Sequence, residues 1–184
     1  MTTMVNDLLE YARTQLGGTV PIKLVLGDIF DICQAALDDA ATAHPDCIFK
    51  LETSGEHIGD YDAPRLAQVF SNLLNNAAQY KGEKHPVTIS AFGNKDATIV
   101  QVKNYGPMIP RASLAAIFDP LIQLSVAPDQ KGPISTSLGL GLFIARVITT
   151  SHGGSVEVES TAENGTIFTV RIPRPAPLVM KIAG

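Results

Sequence analysis

The segment from Asp62 to Gln79 constrains the fold more than any other part of the chain. Asp62 can cap a helix, Pro64 suits a first helical turn, and the apolar residues that follow recur at i, i+3, i+4 and i+7. These apolar residues are Leu66, Val69, Phe70, Leu73, Leu74 and Ala77. The pattern predicts a helix with one complete buried face, so another layer of structure must cover that face.

The opposite face of this predicted helix carries amides instead of charges. Its polar residues are Gln68, Asn72, Asn75, Asn76 and Gln79. A solvated helix face more often carries Glu, Lys and Arg, because amides gain less from water and are only middling helix formers. We therefore predict that the amide stripe lines a covered polar site.

Weaker patterns predict the neighbouring helices and strands. They indicate helices near 2–16, 28–40, 113–118 and 142–148, and strands near 21–26, 47–51, 87–92, 98–104, 155–160 and 166–172. The first helix has no capping residue at its start. Its apolar stripe is expected to pack either on its own domain or on a partner, and the pattern leaves both open: Val5, Leu8, Leu9, Ala12 and Leu16.

Composition excludes several classes of protein. The 184 residues suit one domain, or one domain with a short appendage, and 45% hydrophobic residues can supply a core. A net charge of -4 without a basic block argues against nucleic-acid binding. No apolar stretch reaches the length of a membrane span, so we expect a cytoplasmic fragment without membrane contact of its own, although a full-length protein could be anchored in a membrane through a further N-terminal region. Cys33 and Cys47 are expected to be small buried residues, not a redox pair.

A glycine-rich loop, Gly139-Leu140-Gly141, leads into the predicted helix from Leu142. Such a loop gathers free backbone N–H groups at the positive end of a helix dipole, which suits a polyphosphate. Glycines that only allow close packing at a helix start explain the pattern about equally well. The loop is neither a dinucleotide-binding fingerprint nor a P-loop, because no GK[ST] is present and no strand precedes it.

Taken in order, these segments resemble the ATP-binding catalytic domain of sensor histidine kinases, a member of the superfamily of gyrase, heat-shock chaperone and mismatch-repair ATPases. The resemblance covers about residues 22–173. Five short motifs carry it. They are an asparagine box at 72–77 (NLLNNA), a first glycine box at 104–107 (NYGP), a phenylalanine box at 117–120 (IFDP), a second glycine box at 139–142 (GLGL) and a final box at 165–168 (GTIF).

The resemblance implies an α/β (α+β) two-layer sandwich, in which helices cover one face of a mixed β-sheet (the Bergerat-type ATP-binding fold) and an N-terminal helix precedes it. Residues 1–18 would be the end of a dimerisation and phosphoacceptor helix. Residues 19–173 would form the ATP-binding catalytic domain, and 174–184 a frayed, Pro-rich tail.

The resemblance also assigns the phosphate end of an ATP and Mg²⁺ site. Asn76 matches the magnesium ligand, and Asn72 and Asn76 are the candidate catalytic residues. In the superfamily ATPases a water-activating glutamate stands at the position of Asn72, so a carboxylate base for hydrolysis is missing. Lys81 and Lys131 are candidate phosphate-binding cations. The backbone N–H groups of the second glycine box would approach the phosphates: Gly139, Leu140, Gly141 and Leu142.

At the base end, the resemblance implies that Asn104 accepts from the adenine amino group and that Thr166 supports the adenine edge. Tyr80 would flank the base or ribose, Gly106 belongs to the first glycine box, and Phe118 would seat a lid formed by 121–137. Because an amide can flip, we expect softer discrimination between ATP and GTP than an aspartate gives. Asn104→Asp is then expected to keep ATP and reject GTP more strongly.

Several residues depart from the family pattern. Asn104 replaces the usual aspartate, Met108 the second glycine of its box, and Ser137 the leading glycine of the phosphate loop. Gln79 and Gln123 stand where basic residues are common, and Lys81 and Lys131 are the candidates to replace those charges. These departures put affinity in doubt more than identity.

The resemblance therefore implies the catalytic module of a two-component histidine kinase, which would transfer the ATP γ-phosphate to a histidine on a phosphoacceptor domain. Its expected partners are that dimerisation and phosphoacceptor domain, a second copy in a homodimer, and a response regulator. The alternatives are a nucleotide-binding interaction module without transfer activity, and an ATPase or anti-sigma serine kinase of the same superfamily. No histidine of this chain resembles a phosphoacceptor: His44, His57, His85 and His152.

Overall fold

A computed structural model describes residues 2–15, 17, 20–82, 85–122 and 139–174, with side chains from Leu8 onward. The expectations for Gln123, Lys131 and Ser137, and for the segment 175–184, fall outside these described residues.

The described chain contains four helices and seven strands. The helices are α1 (Thr2–Gln15), α2 (Ile29–Ala43), α3 (Ala63–Gln79) and α4 (Gly141–Ser151). The strands are β1 (Val25–Asp28), β2 (Phe49–Gly55), β3 (Ile58–Tyr61), β4 (Val87–Gly93), β5 (Ala97–Asn104), β6 (Ser155–Thr161) and β7 (Gly165–Pro173).

Five strands form a mixed sheet in the order β2-β4-β5-β7-β6, and β1 pairs with β3 in a separate antiparallel ribbon. In the large sheet only β2 and β4 run parallel. Helices α2, α3 and α4 pack side by side and contact this sheet. The expected two-layer sandwich with a mixed sheet is confirmed.

Helix α3 lies at the centre of the helical layer. The Asp62 side chain caps its start by accepting from the N–H of Arg65, and Pro64 lies in its first turn, as the sequence predicts. All six residues of its predicted apolar face are fully buried, in contact with inward residues of the sheet such as Val100, Val102 and Phe168. Burying a large apolar side chain contributes about 1.5 to 3 kcal/mol, so this face fixes the rotation of α3 about its axis.

Three local predictions differ from the structure. The strand expected near 21–26 lies at Val25–Asp28, and its partner β3 has no counterpart among the predicted strands. The short helix expected near 113–118 is instead two 3₁₀ turns, Arg111–Ser113 and Ala116–Phe118. Both strands of the ribbon are only four residues long, which is too short for a clear period-two pattern.

Helix α1 packs on the domain through a face other than its predicted apolar stripe. Buried Glu10 forms an ion pair with Arg65 of α3, and the ring of Tyr11 meets the edge of Phe143 in α4. Leu8 and Leu9 remain 52% and 58% exposed. The stripe residues whose side chains are described, Leu8, Leu9 and Ala12, are therefore exposed, whereas the expectations for Val5 and Leu16 fall outside the described side chains.

The end of β7 is fastened to the rest of the sheet by Arg174. Its guanidinium donates to the Glu56 carboxylate and to the Glu56 carbonyl, each at 2.8 Å, and to the Thr98 hydroxyl at 3.3 Å. Thr98 is fully buried and also bonds the Tyr61 hydroxyl at 2.8 Å. The described structure thus includes Arg174, the first residue of the segment that we expected to fray.

Arg174→Ala should lower the free energy of unfolding by about 1 to 3 kcal/mol, because hydrogen bonds to a charged group are lost and a buried hydroxyl loses one partner. Arg171→Ala is the matched control: Arg171 is exposed on β7, three residues before Arg174, so its replacement should change stability by less than about 0.5 kcal/mol. Urea denaturation of both variants measures the difference. Equal stabilities for the two variants would contradict the fastening role of Arg174.

Candidate functional site

A direct hydrogen bond joins the amide stripe of α3 to the start of α4. The Asn72 Nδ2 donates to the carbonyl of Gly141 at 3.1 Å. Gly141 is the first residue of α4. The predicted polar face and the predicted glycine loop therefore meet in space, although 69 residues separate Asn72 from Gly141 in the chain.

The second glycine box has the backbone geometry of a loop that opens a helix. Gly139 has a φ of +70°, a conformation that residues with a Cβ rarely adopt. Leu140 anchors the loop because it is buried, and its carbonyl accepts the N–H of Ile144. No described side chain caps α4. The N–H groups of its first turn therefore remain available to an anion, at the positive end of the helix dipole.

Asn76 lies one helical turn after Asn72 and is half-buried. Its side chain has no hydrogen bond within the described residues, whereas the neighbouring Asn75 is exposed and its Oδ1 lies 3.1 Å from the His44 Nε2. The described part of the chain also holds no cluster of three or more His, Cys, Asp or Glu side chains. A free amide oxygen without a carboxylate cage suits a Mg²⁺ ion that takes its other ligands from phosphates and water.

The other end of the candidate site lies at the end of β5 and the start of β7. Asn104, the last residue of β5, pairs directly with Thr166, the second residue of β7. Asn104 is 3% exposed, and its Oδ1 accepts no hydrogen bond from a described residue, while its Nδ2 donates to the Tyr80 carbonyl at 3.3 Å. The predicted adenine-binding pair is therefore brought together.

Thr166 belongs to a short polar chain that the sequence did not reveal. Its Oγ1 lies 2.8 Å from the Ser160 Oγ, and that oxygen accepts the N–H of Ile109 at 3.0 Å. Ser160 faces Thr166 across the β6–β7 hairpin. Residues 162–164 form the turn, and Gly165 already pairs with Thr161; a two-residue turn at Asn164-Gly165 would instead set Thr166 opposite Glu163. Ser160 is thus a supporting residue of the site.

The C-terminal end of α3 is held against the first glycine box. Tyr80 ends α3 with its N–H bonded to the Asn76 carbonyl, and the Gly82 N–H donates to the carbonyl of Tyr105. A Cβ on Gly106 would overlap the Tyr80 carbonyl, so no larger residue fits there without a backbone shift. The role of the Tyr80 main chain has no signal in the sequence.

Phe118 is buried and meets Phe168 of β7 edge to face, with ring centroids 6.1 Å apart. The Arg146 guanidinium of α4 lies 5.8 Å from the Phe118 ring and 3.6 Å from the Asp119 carboxylate. The Leu121 N–H donates to the Gly139 carbonyl at 3.1 Å. These contacts tie the phenylalanine box to the glycine loop.

The remaining predicted positions are less closely involved. Met108 is 58% exposed, and Gln79 is half-buried.

The two cysteines lie in different surroundings. Lys81 lies near Cys47: burial raises the pKa of the Cys47 thiol, and the Lys81 charge partly offsets that rise. Cys47 is half-buried, but Cys33 is buried as expected, and burial together with the Asp28 charge raises its pKa to about 12.

The four histidines all make local contacts. His44 bonds Asn75, His57 stacks against Phe30 with centroids 4.7 Å apart, and His85 stacks against Tyr105 at 4.5 Å. His152 lies between two main-chain groups, the Ile148 carbonyl at 2.9 Å and the Asp62 N–H at 3.3 Å.

No helix among the described residues is long and apolar enough to span a bilayer.

Known proteins share this fold and these motifs. Residues 61–176 match the family model of histidine kinase-, DNA gyrase B- and HSP90-like ATPases. The sensor protein SrrB of Staphylococcus aureus is 33% identical over 181 residues, which cover 95% of this chain. The chain spans only about 30% of the length of that relative.

Solved structures agree with the sequence match. The catalytic domain of histidine kinase ThkA superimposes with a TM-score of 0.66 and 27% identity, over 83% of this chain and 97% of that domain. Full-length ShkA in complex with AMPPNP gives a TM-score of 0.74 and 25% identity, over 94% of this chain and 35% of ShkA. The resemblance drawn from the sequence boxes is confirmed, and the chain belongs to the family of histidine kinase-, DNA gyrase B- and HSP90-like ATPases, with the ATP-binding domain of a sensor histidine kinase.

Proposed function

We propose that the domain binds Mg²⁺-ATP between α3 and α4 and transfers the γ-phosphate to a histidine of a phosphoacceptor domain. The observation that carries this proposal is the Asn72–Gly141 hydrogen bond. Asn76 lies one helical turn after Asn72 on the same face of α3, so its free amide would lie near the uncapped start of α4 and could hold a metal ion close to phosphate-binding N–H groups. Phosphoryl transfer needs mainly positioning and charge neutralisation, which such an arrangement supplies.

Adenine fits the other end of the candidate site. The Asn104 Oδ1 has no protein partner, so it can accept from the exocyclic amine of the base. Ser160 supports the Thr166 hydroxyl, which lies on the neighbouring strand position. An unpaired polar group in a buried slot is costly, and the base would satisfy it. Gly106 lies against the Tyr80 carbonyl at this end of the site, and the Leu121 N–H holds the glycine loop through the Gly139 carbonyl.

Mg²⁺ bound together with ATP would supply positive charge that neutralises the phosphates, and protein groups would contact both the ion and the phosphate oxygens. Asn76 would hold the ion through its neutral Oδ1, and the N–H groups of Gly141 and Leu142 would hold the phosphate oxygens. Lys81, and Lys131 outside the described residues, are further candidates for phosphate contact.

Asn76→Ala should weaken magnesium-dependent ATP binding by about 1 to 3 kcal/mol, roughly 5- to 150-fold, because one charge-assisted ligand is lost. The fold should survive, since an Asn-to-Ala change in a helix is neutral or favourable for helix stability. Asn75→Ala is the matched control: Asn75 points to His44 and should keep full affinity. Calorimetric titration with and without Mg²⁺, together with melting temperatures, measures both effects. Unchanged affinity in the Asn76→Ala variant would refute the assigned role.

The phosphoacceptor is proposed to lie on another domain, because each of the four histidines here is engaged in its own local contact. The uncovered Leu8 and Leu9 support a further helix packing against α1. We therefore propose that residues 1–18 end a dimerisation and phosphoacceptor helix and 19–173 form the catalytic domain. We propose further that the whole protein is a homodimer, acts in the cytoplasm and passes its phosphate to a response regulator.

Incubated alone with labelled ATP and Mg²⁺, the chain should acquire no acid-labile phosphate. Mixed with a matching phosphoacceptor domain, it should label that domain. Gel autoradiography after acid and alkali treatment distinguishes the two cases. Stable label on one of the four histidines of this chain would contradict the proposed division of labour.

Hydrolysis of ATP by the chain alone should be slow, because Asn72 cannot act as a base and its Nδ2 is occupied by the Gly141 carbonyl. Release of inorganic phosphate, measured against a no-protein blank, tests this expectation. Brisk turnover would instead favour a hydrolytic ATPase.

A further inference from the structure

We infer that the Tyr80 main-chain carbonyl locks the Asn104 amide in one orientation, which makes the base slot specific for 6-aminopurines and matched to asparagine but not to aspartate. This inference rests on the proposed function, because it assumes that the slot takes the base of ATP. It assigns a positioning role to the Tyr80 carbonyl, which acts through Asn104 and does not itself meet the nucleotide.

The orientation follows from the chemistry of the two neighbouring groups. The Asn104 Nδ2 donates to the Tyr80 carbonyl at 3.3 Å in a position only 3% exposed. A flipped amide would set two acceptor oxygens against each other there and leave both without a donor. Water cannot easily relieve that conflict in a buried position, so the flip is unfavourable. The Oδ1 is therefore the atom that Asn104 turns to the open side of the slot.

The carbonyl that holds the amide is itself held from several sides. Tyr80 lies at the end of α3, where its N–H bonds the Asn76 carbonyl. Gly106 leaves no room for a Cβ beside the Tyr80 carbonyl, and the Gly82 N–H bonds the Tyr105 carbonyl. The end of α3 and the first glycine box thus form two facing segments in fixed register. Rotation of the Tyr80 carbonyl away from Asn104 would break this arrangement.

A locked oxygen gives a sharper choice of base than a freely flipping amide. Adenine presents an amine at its 6-position, which donates to the Oδ1. Guanine and hypoxanthine present a carbonyl there, which would face the Oδ1 as a second acceptor. The locked amide cannot turn its NH₂ side to them, so the softer ATP-over-GTP discrimination expected from the sequence alone is revised to a strong one.

The same contact reverses the expectation for Asn104→Asp. An ionised carboxylate would set an oxygen against the Tyr80 carbonyl, where the wild-type chain has a donor. A protonated carboxyl would restore the match, because its O–H can donate to the carbonyl while its other oxygen faces the base. ATP binding by this variant should therefore weaken as the pH rises, as the carboxyl loses its proton.

Other titratable groups near the slot are shared by wild type and variant, so their effects cancel in a ratio. They are Tyr80 and Lys81 at the end of α3, Lys103 and Tyr105 beside Asn104 in the chain, and His85, whose ring stacks on Tyr105. Lys103 points to the opposite face of β5 from Asn104 by strand alternation, with its Nζ 4.8 Å from the Tyr105 ring. No titratable residue neighbours Thr166 on β7.

The test compares the affinities of the wild-type chain for different nucleotides, and the ATP affinities of two variants at two pH values. Affinities for ATP, ITP and 2,6-diaminopurine riboside triphosphate are measured for the wild type, and ATP affinity for Asn104→Asp and Asn104→Ala is measured at about pH 5.5 and 8.5. The wild type should bind ITP at least about tenfold more weakly than ATP and keep the diaminopurine nucleotide. Relative to wild type, Asn104→Asp should lose about tenfold more ATP affinity at the higher pH, whereas Asn104→Ala should lose the same amount at both.

The outcomes separate the inference from the proposed function. Wild-type binding of ITP as tightly as ATP, or an Asn104→Asp variant that matches wild-type ATP affinity at both pH values, would overturn the lock and leave ATP binding intact. A wild-type chain that binds no nucleotide would overturn the proposed function and the inference with it. If Asn104→Asp fails to fold, as its melting temperature will show, the wild-type affinities for ATP, ITP and the diaminopurine nucleotide still test whether the Asn104 amide is locked.

Discussion

The burial of one face of α3 is the constraint on which the site depends. Six of its apolar residues lie fully buried against the other helices and the sheet, so a rotation of the helix by even one residue would expose several of them. The orientation of α3 that keeps these residues buried also sets the direction of its polar face. Asn72 contacts the first residue of α4, Asn76 follows one helical turn later, and the Tyr80 carbonyl meets the last residue of β5. An apolar interaction on one side of α3 thus positions the polar chemistry on the other.

The sheet contributes the second half of the site by placing polar residues at the end of otherwise apolar rows. Val100 and Val102 are fully buried on β5, and Asn104 continues their row to the rim. Thr166 stands opposite on β7. Buried polar groups are costly unless bonded, and the chain supplies most of the bonds: Tyr80 serves the Asn104 amide, and Ser160 serves the Thr166 hydroxyl. The Asn104 Oδ1 has no partner among the described residues, so it is free to accept a further hydrogen bond.

Much of the fold could be predicted from the sequence because its patterns are long. Helix α3 has seventeen residues and every apolar position in register, and the β4–β5 and β6–β7 hairpins show period-two alternation. The β1–β3 ribbon was predicted only in part, since its strands are four residues long and half of their residues are exposed. Among site residues, Asn76, Asn104 and Thr166 are identifiable by type and motif. The Tyr80 contribution is not, because a main-chain carbonyl has no residue identity and its position depends on Gly106, 26 residues further along the chain.

Asn72 shows why a site is defined by contacts as much as by residue type. From the sequence, it is a glutamate position of related ATPases that has lost its carboxylate. In the structure its Nδ2 donates to the Gly141 carbonyl, so the amide is a tie between α3 and α4 and not only a missing base. A glutamate would set an acceptor against that carbonyl, and the helices would have to shift to relieve it. Asn72 and Asn104 thus make the same kind of contact, because each amide NH₂ donates to a main-chain carbonyl. A carboxylate has no such donor, so neither contact could form with an ionised acidic residue.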